Sequence, residues 1–224
     1  MTIFTLYHFT TCPLSRIARI CLNEKNQSFK LIIEKPWEFR EEFLRLNPAA
    51  TIPVLLIDNT IIIRGIYPIV EFLEECDIQP KLLIGDAENR AHIRFVFNWF
   101  VEKFYDEVTK YILSEKIMRV LHTSGSPHST AIRAAKKNMI HHLDYLSHLL
   151  INNTYLCGER ITIADCAAAA QLSIVDLVSD IEWKKYPKIK AWYALMKSRP
   201  SFHSILQDEI SGIITPTHYR NPDF

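Results

Sequence analysis

The sequence predicts an α/β domain followed by an all-helical domain and an extended tail. Three observations predict it. The first eighty residues alternate β-branched runs with amphipathic helical runs, in the order βαβ and then ββα. From about residue 87 onward, apolar residues recur at helical spacing. Between the two, residues 78–86 (IQPKLLIGD) carry a proline and a glycine and read as a linker. The expected boundaries are 1–77 for the α/β domain, 78–86 for the linker, 87–207 for the helical domain and 208–224 for the tail. A length of 224 residues, set against roughly 150 per domain, leaves room for both.

Each element has its own reason. Residues 3–9 (IFTLYHF) are β-branched and aromatic, which predicts a buried strand. Pro13 then opens a helix, where its missing N–H costs nothing. Leu14, Ile17, Ala18, Cys21 and Leu22 follow at i, i+3, i+4, i+7 and i+8, which is one apolar face. Residues 28–34 (SFKLIIE) predict a second strand. Residues 37–46 are charged and aromatic and predict an irregular helix, broken by Asn47-Pro48. The runs 54–57 (VLLI) and 60–64 (TIIIR) are joined by Asp58-Asn59, which predicts a β-hairpin. A helix over 67–76 closes the domain. In the second half, Ile93, Phe97, Phe100, Phe104, Val108 and Tyr111 form one long stripe. Ile132, Met139, Leu143, Leu146 and Leu150 form another, with the polar stretch 123–130 between them. Thr162 and Asp165 stand at N-cap and N3 spacing, a capping box with Asp in the usual Glu place. The last helix is expected over 188–198, stopping before Pro200.

Composition excludes several functions. Lys plus Arg is 26 and Asp plus Glu is 25. The first 80 residues carry −2 and the remainder +3, so neither half suits a polyanion, and no nucleic-acid partner is expected. The five glycines stand alone, so no glycine-rich phosphate loop exists. Five cysteines, an odd count without a C-x-x-C, argue against a disulfide framework and fit a reducing, cytoplasmic setting. No leader pattern and no apolar run near 18 residues is seen, so no membrane span is expected. His141, His142 and His148 lack a carboxylate at metal-ligand spacing and read as solvated helix histidines, so no metal is expected.

Three short motifs carry a resemblance. They are Thr11-Cys12-Pro13-Leu14-Ser15-Arg16; Asn47-Pro48 leading to Ile52-Pro53-Val54-Leu55; and Gly158 followed by Thr162-Ile163-Ala164-Asp165. Together they resemble the cytosolic glutathione transferase superfamily, over about residues 1–207. The resemblance implies a thioredoxin-like N-terminal domain, an all-α C-terminal domain and a homodimer. It implies a cis Pro53, which would leave the Ile52 backbone free to pair with an extended peptide such as glutathione. It also places Cys12 at a helix N-terminus, where N–H groups and the dipole favour a thiolate. The alternative for Cys12 is an inert buried thiol. The implied glutathione-like cleft comprises Cys12, Ile52, Pro53, Gly65 and Ile66. The candidates for the thiol-activating group are Tyr7, Thr10, Cys12 and Ser15, with Cys12 and Ser15 carried forward as catalytic and Tyr7 also reading as core packing. Ser15, one turn into the helix, also reads as satisfying local backbone.

The sequence departs from the catalytic members in two places. Those members hold the γ-glutamyl end of glutathione with an acidic residue and a serine just before the helix after the hairpin. Here Gly65 and Ile66 occupy those positions, and neither side chain can bond an ammonium or a carboxylate. Each lost charged contact is worth roughly 1.5–3 kcal/mol, or about one to two decades of affinity. No cofactor is therefore expected to be required, and glutathione is doubtful as a ligand. The second departure is the tail, where His218, Tyr219, Asp223 and Phe224 offer aromatic anchors and acidic charge for docking to a partner or to the protein's own body. This pair of departures resembles the FtsZ-binding cell-division members of the superfamily in alphaproteobacteria. That resemblance implies a non-catalytic dimer that curves or stabilises FtsZ filaments and links them to cell-wall synthesis. The alternative is a glutathione-dependent transferase or thiol reductase using Cys12, as the Cys12-Pro13 pair resembles the omega-type members. Trp37 and Phe39 sit in the segment that borders the cleft and the dimer surface in this family; core capping is the other reading.

Overall fold

The computed structural model describes residues 2–76, 78–119, 127–178, 180–210 and 212–221. The chain divides into two compact units, Met1–Leu82 and Leu83–Phe224.

The first unit is built on a four-stranded sheet of order β2-β1-β3-β4. Strand β1 (Phe4–His8) pairs in parallel with β2 (Phe29–Ile33) and antiparallel with β3 (Val54–Ile57). Strand β4 (Ile61–Arg64) pairs antiparallel with β3. All four residues of β3 are buried, as a central strand covered on both faces requires. The hairpin forms at the expected dipeptide, with Asp58 at φ 48° and Asn59 at φ 57°, the two positive angles that a type I′ turn needs. Thr60 lies outside β4; its N–H closes the turn on the Ile57 carbonyl at 3.0 Å.

Helix α1 (Pro13–Glu24) crosses from β1 to β2 and packs with α3 (Ile66–Glu75). Ile17, Ala18, Cys21 and Leu22 are buried as the periodicity predicts. Arg16 and Arg19 are also buried, at 0% and 2% exposed, which a single apolar face does not predict. The irregular segment resolves into a 3₁₀ turn (Pro36–Glu38) and a short helix α2 (Glu41–Leu46), separated by Phe39 in the left-handed region. Lys25, 1% exposed, ties the unit together. Its Nζ meets Glu74 at 2.7 Å and donates to the Pro80 carbonyl at 2.9 Å.

The second unit is helical. Helix α4 (Ala87–Asn98) is capped by Asp86, which accepts from the Asn89 N–H at 2.9 Å. It runs on as a π-helix (Trp99–Thr109), an α turn α5 (Lys110–Ile112) and a second π-helical stretch (Leu113–Met118). Then come α6 (Ser129–Leu149), α7 (Ile163–Leu177), α8 (Pro187–Lys197), α9 (Pro200–Leu206) and α10 (Thr217–Arg220). Residues 123–126 of the expected polar linker lie outside the described residues. Helix α7 is buried on every side and packs against α4 and the first π-helix. Its capping box is formed. Asp165 accepts from the Thr162 N–H and hydroxyl, each at 2.9 Å, and also from the Leu156 N–H at 2.8 Å and Trp192 Nε1 at 3.0 Å. Helix α9 is not expected from the sequence, where Pro200 reads as a stop. Pro200 is the first residue of the new helix, where a proline needs no N–H partner.

Candidate functional site

The sheet register builds one end of the first unit. Tyr7 pairs with Val54 and Val54 with Arg64, so the residues after β1, before β3 and after β4 come out together. These are the Phe9–Cys12 loop, Ile52-Pro53 and Gly65-Ile66.

Cys12 is the N-cap of α1, and its carbonyl accepts from the Arg16 N–H at 3.1 Å. The side chain makes no cap. Burial pushes the thiol above its ordinary range, although part of Cys12 reaches solvent. The Ser15 hydroxyl, the N–H groups of Ser15 and Leu14 and the Arg16 charge pull the other way and do not prevail. Of the two readings of Cys12, this direction favours the buried thiol over the thiolate. The helix terminus is there, but desolvation outweighs it, and at neutral pH the thiol form dominates. Ser15 is fully buried, with Oγ 3.5 Å from the Phe9 N–H, so it braces the loop.

The Ile52–Pro53 bond is cis. Among the described residues, no hydrogen bond takes up the Ile52 N–H or carbonyl, so both are open to an extended peptide. Asn47 holds this loop from behind: its Nδ2 donates to the Thr51 carbonyl at 2.7 Å and to Thr51 Oγ1 at 3.0 Å. In the sequence Asn47 reads as a helix breaker and as part of the motif leading to Ile52-Pro53, with no bonding role assigned to its side chain. Its 2% exposure and its bonds four residues on show that it shapes the approach to Pro53.

Gly65 donates its N–H to the Pro53 carbonyl at 2.9 Å, which binds the two halves of the site. It sits at φ 85°, ψ 159°, a region essentially reserved for glycine. Ile66 is 3% exposed, with its side chain in the core. Arg64 turns away, its Nε donating to the Leu46 carbonyl at 2.6 Å. Positions 65 and 66 therefore supply backbone and an inward-facing hydrocarbon.

Beside this end, Trp37 packs edge-on against Phe9 at 4.9 Å, and Phe39 is 64% exposed. Arg40 clamps Glu34 through Nε at 3.4 Å and a second nitrogen at 2.5 Å.

The tail candidates lie in the second unit. The expectation of an extended tail is corrected in part, since Thr217–Arg220 forms the helical turn α10. Tyr219 is fully buried. His218 Nε2 lies 2.9 Å from Asp176 Oδ1, which also accepts from Trp183 Nε1 at 2.9 Å. Lys197 Nζ donates to the His218 carbonyl at 2.7 Å. Burial pushes the Asp176 carboxyl up and brings Lys197 down to about 8. Asp223 and Phe224 lie outside the described residues.

One histidine reading changes. His142 is 1% exposed rather than solvated. Its Nδ1 accepts from Trp99 Nε1 at 3.0 Å, so Nε2 carries the proton and donates to Glu107 Oε2 at 3.0 Å. Burial lowers its pKa and keeps it neutral. These partners are 43 and 35 residues away, beyond the reach of local pattern. Among the described residues, no group of three or more His, Cys, Asp or Glu is placed to hold a metal, and no helix is long and apolar enough to cross a membrane.

Known proteins match this architecture. The glutathione S-transferase N-terminal domain model matches residues 11–76, and the C-terminal domain model matches residues 104–200. FtsZ-localized protein A of Caulobacter vibrioides is 38% identical over 223 residues, covering 98% of each chain. The solved structure of FzlA from C. crescentus superposes with a TM-score of 0.94 at 38% identity, over 99% of each chain. A glutathione S-transferase structure from Rhodospirillum rubrum F11 superposes with a TM-score of 0.96 at 40% identity, over 99% of this chain and all of the other. With both domain models matched in order and full-length relatives near 40% identity, the chain belongs to the glutathione S-transferase family.

Proposed function

We propose that this protein is a non-catalytic, dimeric, cytoplasmic member of the family that associates with FtsZ in cell division. The observation that carries the reading is the full-length likeness to FtsZ-localized protein A, 38% over 98% of both chains. The site supports it. Gly65 and Ile66 give no side-chain hold on glutathione, and the Cys12 thiol is held protonated by burial. Tyr219 and His218 dock the 217–220 turn, and on this reading Asp223 and Phe224 supply the partner contact. The test is a calorimetric titration with millimolar glutathione, on the wild type and on Cys12→Ala. The reading expects no saturable heat from either.

A second reading rests on a specific observation. The open backbone of Ile52 beside the cis Pro53, with Cys12 at the same sheet end, would suit a peptide thiol. On it, the protein is a glutathione-dependent transferase or thiol reductase using Cys12. Saturable binding, with thiol transfer lost in Cys12→Ala, would establish this reading and retire the first.

A further inference from the structure

The second unit carries a pocket that neither reading uses. It lies between α6 and residues 180–186 and has a volume of about 620 Å³. Its floor is apolar: Met139 and Leu143 are 6% and 2% exposed, and Tyr186 closes one side. Ile140, in the same lining, is left 49% exposed.

The rim is cationic. Arg133, Lys136, Lys137 and Lys185 line it against two carboxylates, Asp180 and Glu182. Both carboxylates are already engaged. Asp180 is met by Lys136 at 2.6 Å and by Lys116 at 2.7 Å. Glu182 pairs with Lys185 at 2.7 Å, both side chains being well exposed, and such a pair is weak and readily exchanged. Arg133 and Lys137 have no ion-pair partner among the described residues. They stand at i and i+4, with Ile140 at i+7, so one face of α6 presents two unneutralised cations beside an exposed aliphatic group.

We propose that this pocket binds an acidic peptide segment of a partner protein that carries a bulky apolar side chain. The apolar residue occupies the floor against Met139, Leu143 and Tyr186, and flanking carboxylates meet Arg133 and Lys137. A small inorganic anion would leave the floor unfilled, and an uncharged peptide would leave the cations unmatched. The proposal does not depend on the FtsZ reading, because the pocket shares no lining residue with the tail.

The test is fluorescence anisotropy on the full chain with a labelled Asp-Glu-Leu-Phe-Asp-Glu peptide. A control peptide replaces Leu-Phe with Ser-Ser, and inorganic phosphate is added at matched ionic strength. Arg133→Glu/Lys137→Glu is expected to weaken binding tenfold or more, as is the control peptide, with the circular dichroism spectrum unchanged. These residues are exposed, so the fold should tolerate their reversal. Ile140→Asp gives a second variant with the same expected loss. Absence of saturable binding, equal binding of both peptides, insensitivity to both variants, or displacement by millimolar phosphate would each overturn the proposal.

Discussion

Replacing Gly65 should cost stability although its surroundings have room for a side chain. A Cβ built there would meet Pro68 Cδ at 3.9 Å, an ordinary contact. The cost lies in the backbone, at φ 85° and ψ 159°. Holding a residue with a side chain in that region costs about 1–3 kcal/mol. Lost chain entropy in the unfolded state returns about 0.4–1 kcal/mol of this. The backbone cannot relax cheaply, because the Gly65 N–H is bonded to the Pro53 carbonyl at 2.9 Å and its carbonyl accepts from the Ile69 N–H at 3.2 Å. Gly65→Ala should therefore lose about 0.5–2 kcal/mol, read as a lower urea midpoint at an unchanged slope. Gly65→Asn distinguishes the cause. Asn tolerates the left-handed helical region near ψ 45°, not ψ 159°, so it should be no better than Ala. An unchanged midpoint in Gly65→Ala, or rescue by Asn, would refute the argument. The same strain bears on the site, since an acidic residue placed at 65 would have to distort the link to Pro53 before it could hold a ligand.

Three further outcomes are expected. Lys25→Met removes the buried ammonium 2.7 Å from the Glu74 carboxylate and should cost about 3–5 kcal/mol in denaturant unfolding; a loss below about 1 kcal/mol would contradict the buried pair. Gln171 is fully buried in α7, with neither amide atom hydrogen-bonded among the described residues, so Gln171→Leu should raise the urea midpoint by an amount equivalent to about 1–2 kcal/mol, and a lowered midpoint would show that the amide is satisfied. Lys197 falls to about 8 in the folded protein from an ordinary value near 10.5, so between those pH values the unfolded chain binds more protons there and this group's contribution to stability rises with pH. The stability of the wild type relative to Lys197→Met should accordingly increase from pH 8 to pH 10, and a flat or falling difference would contradict the burial of that ammonium.

The parts legible in the sequence were those fixed by local chemistry. The VLLI run, the Asp58-Asn59 turn and the Thr162–Asp165 box each depend on neighbours within a few residues, and each formed as read. Pro200 misled because proline ends one helix and begins another with equal ease. The buried charges were invisible for a different reason. Lys25 meets Glu74 across 49 positions and His218 meets Asp176 across 42, so their burial is decided by tertiary packing. At the candidate site, sequence placed Cys12, Pro53 and Gly65 but not the balance at the thiol. A helix terminus can be read from Pro13, whereas the desolvation that outweighs it depends on atoms brought in by the fold.

The central claim is association with FtsZ, and co-sedimentation with preformed FtsZ filaments tests it most directly. The protein should pellet with filaments in a saturable manner and remain in the supernatant without them. Tyr219→Ala, which removes the buried anchor of the tail, should weaken pelleting at least tenfold with the fold retained. A wild-type protein that stays in solution while the filaments pellet would contradict the account.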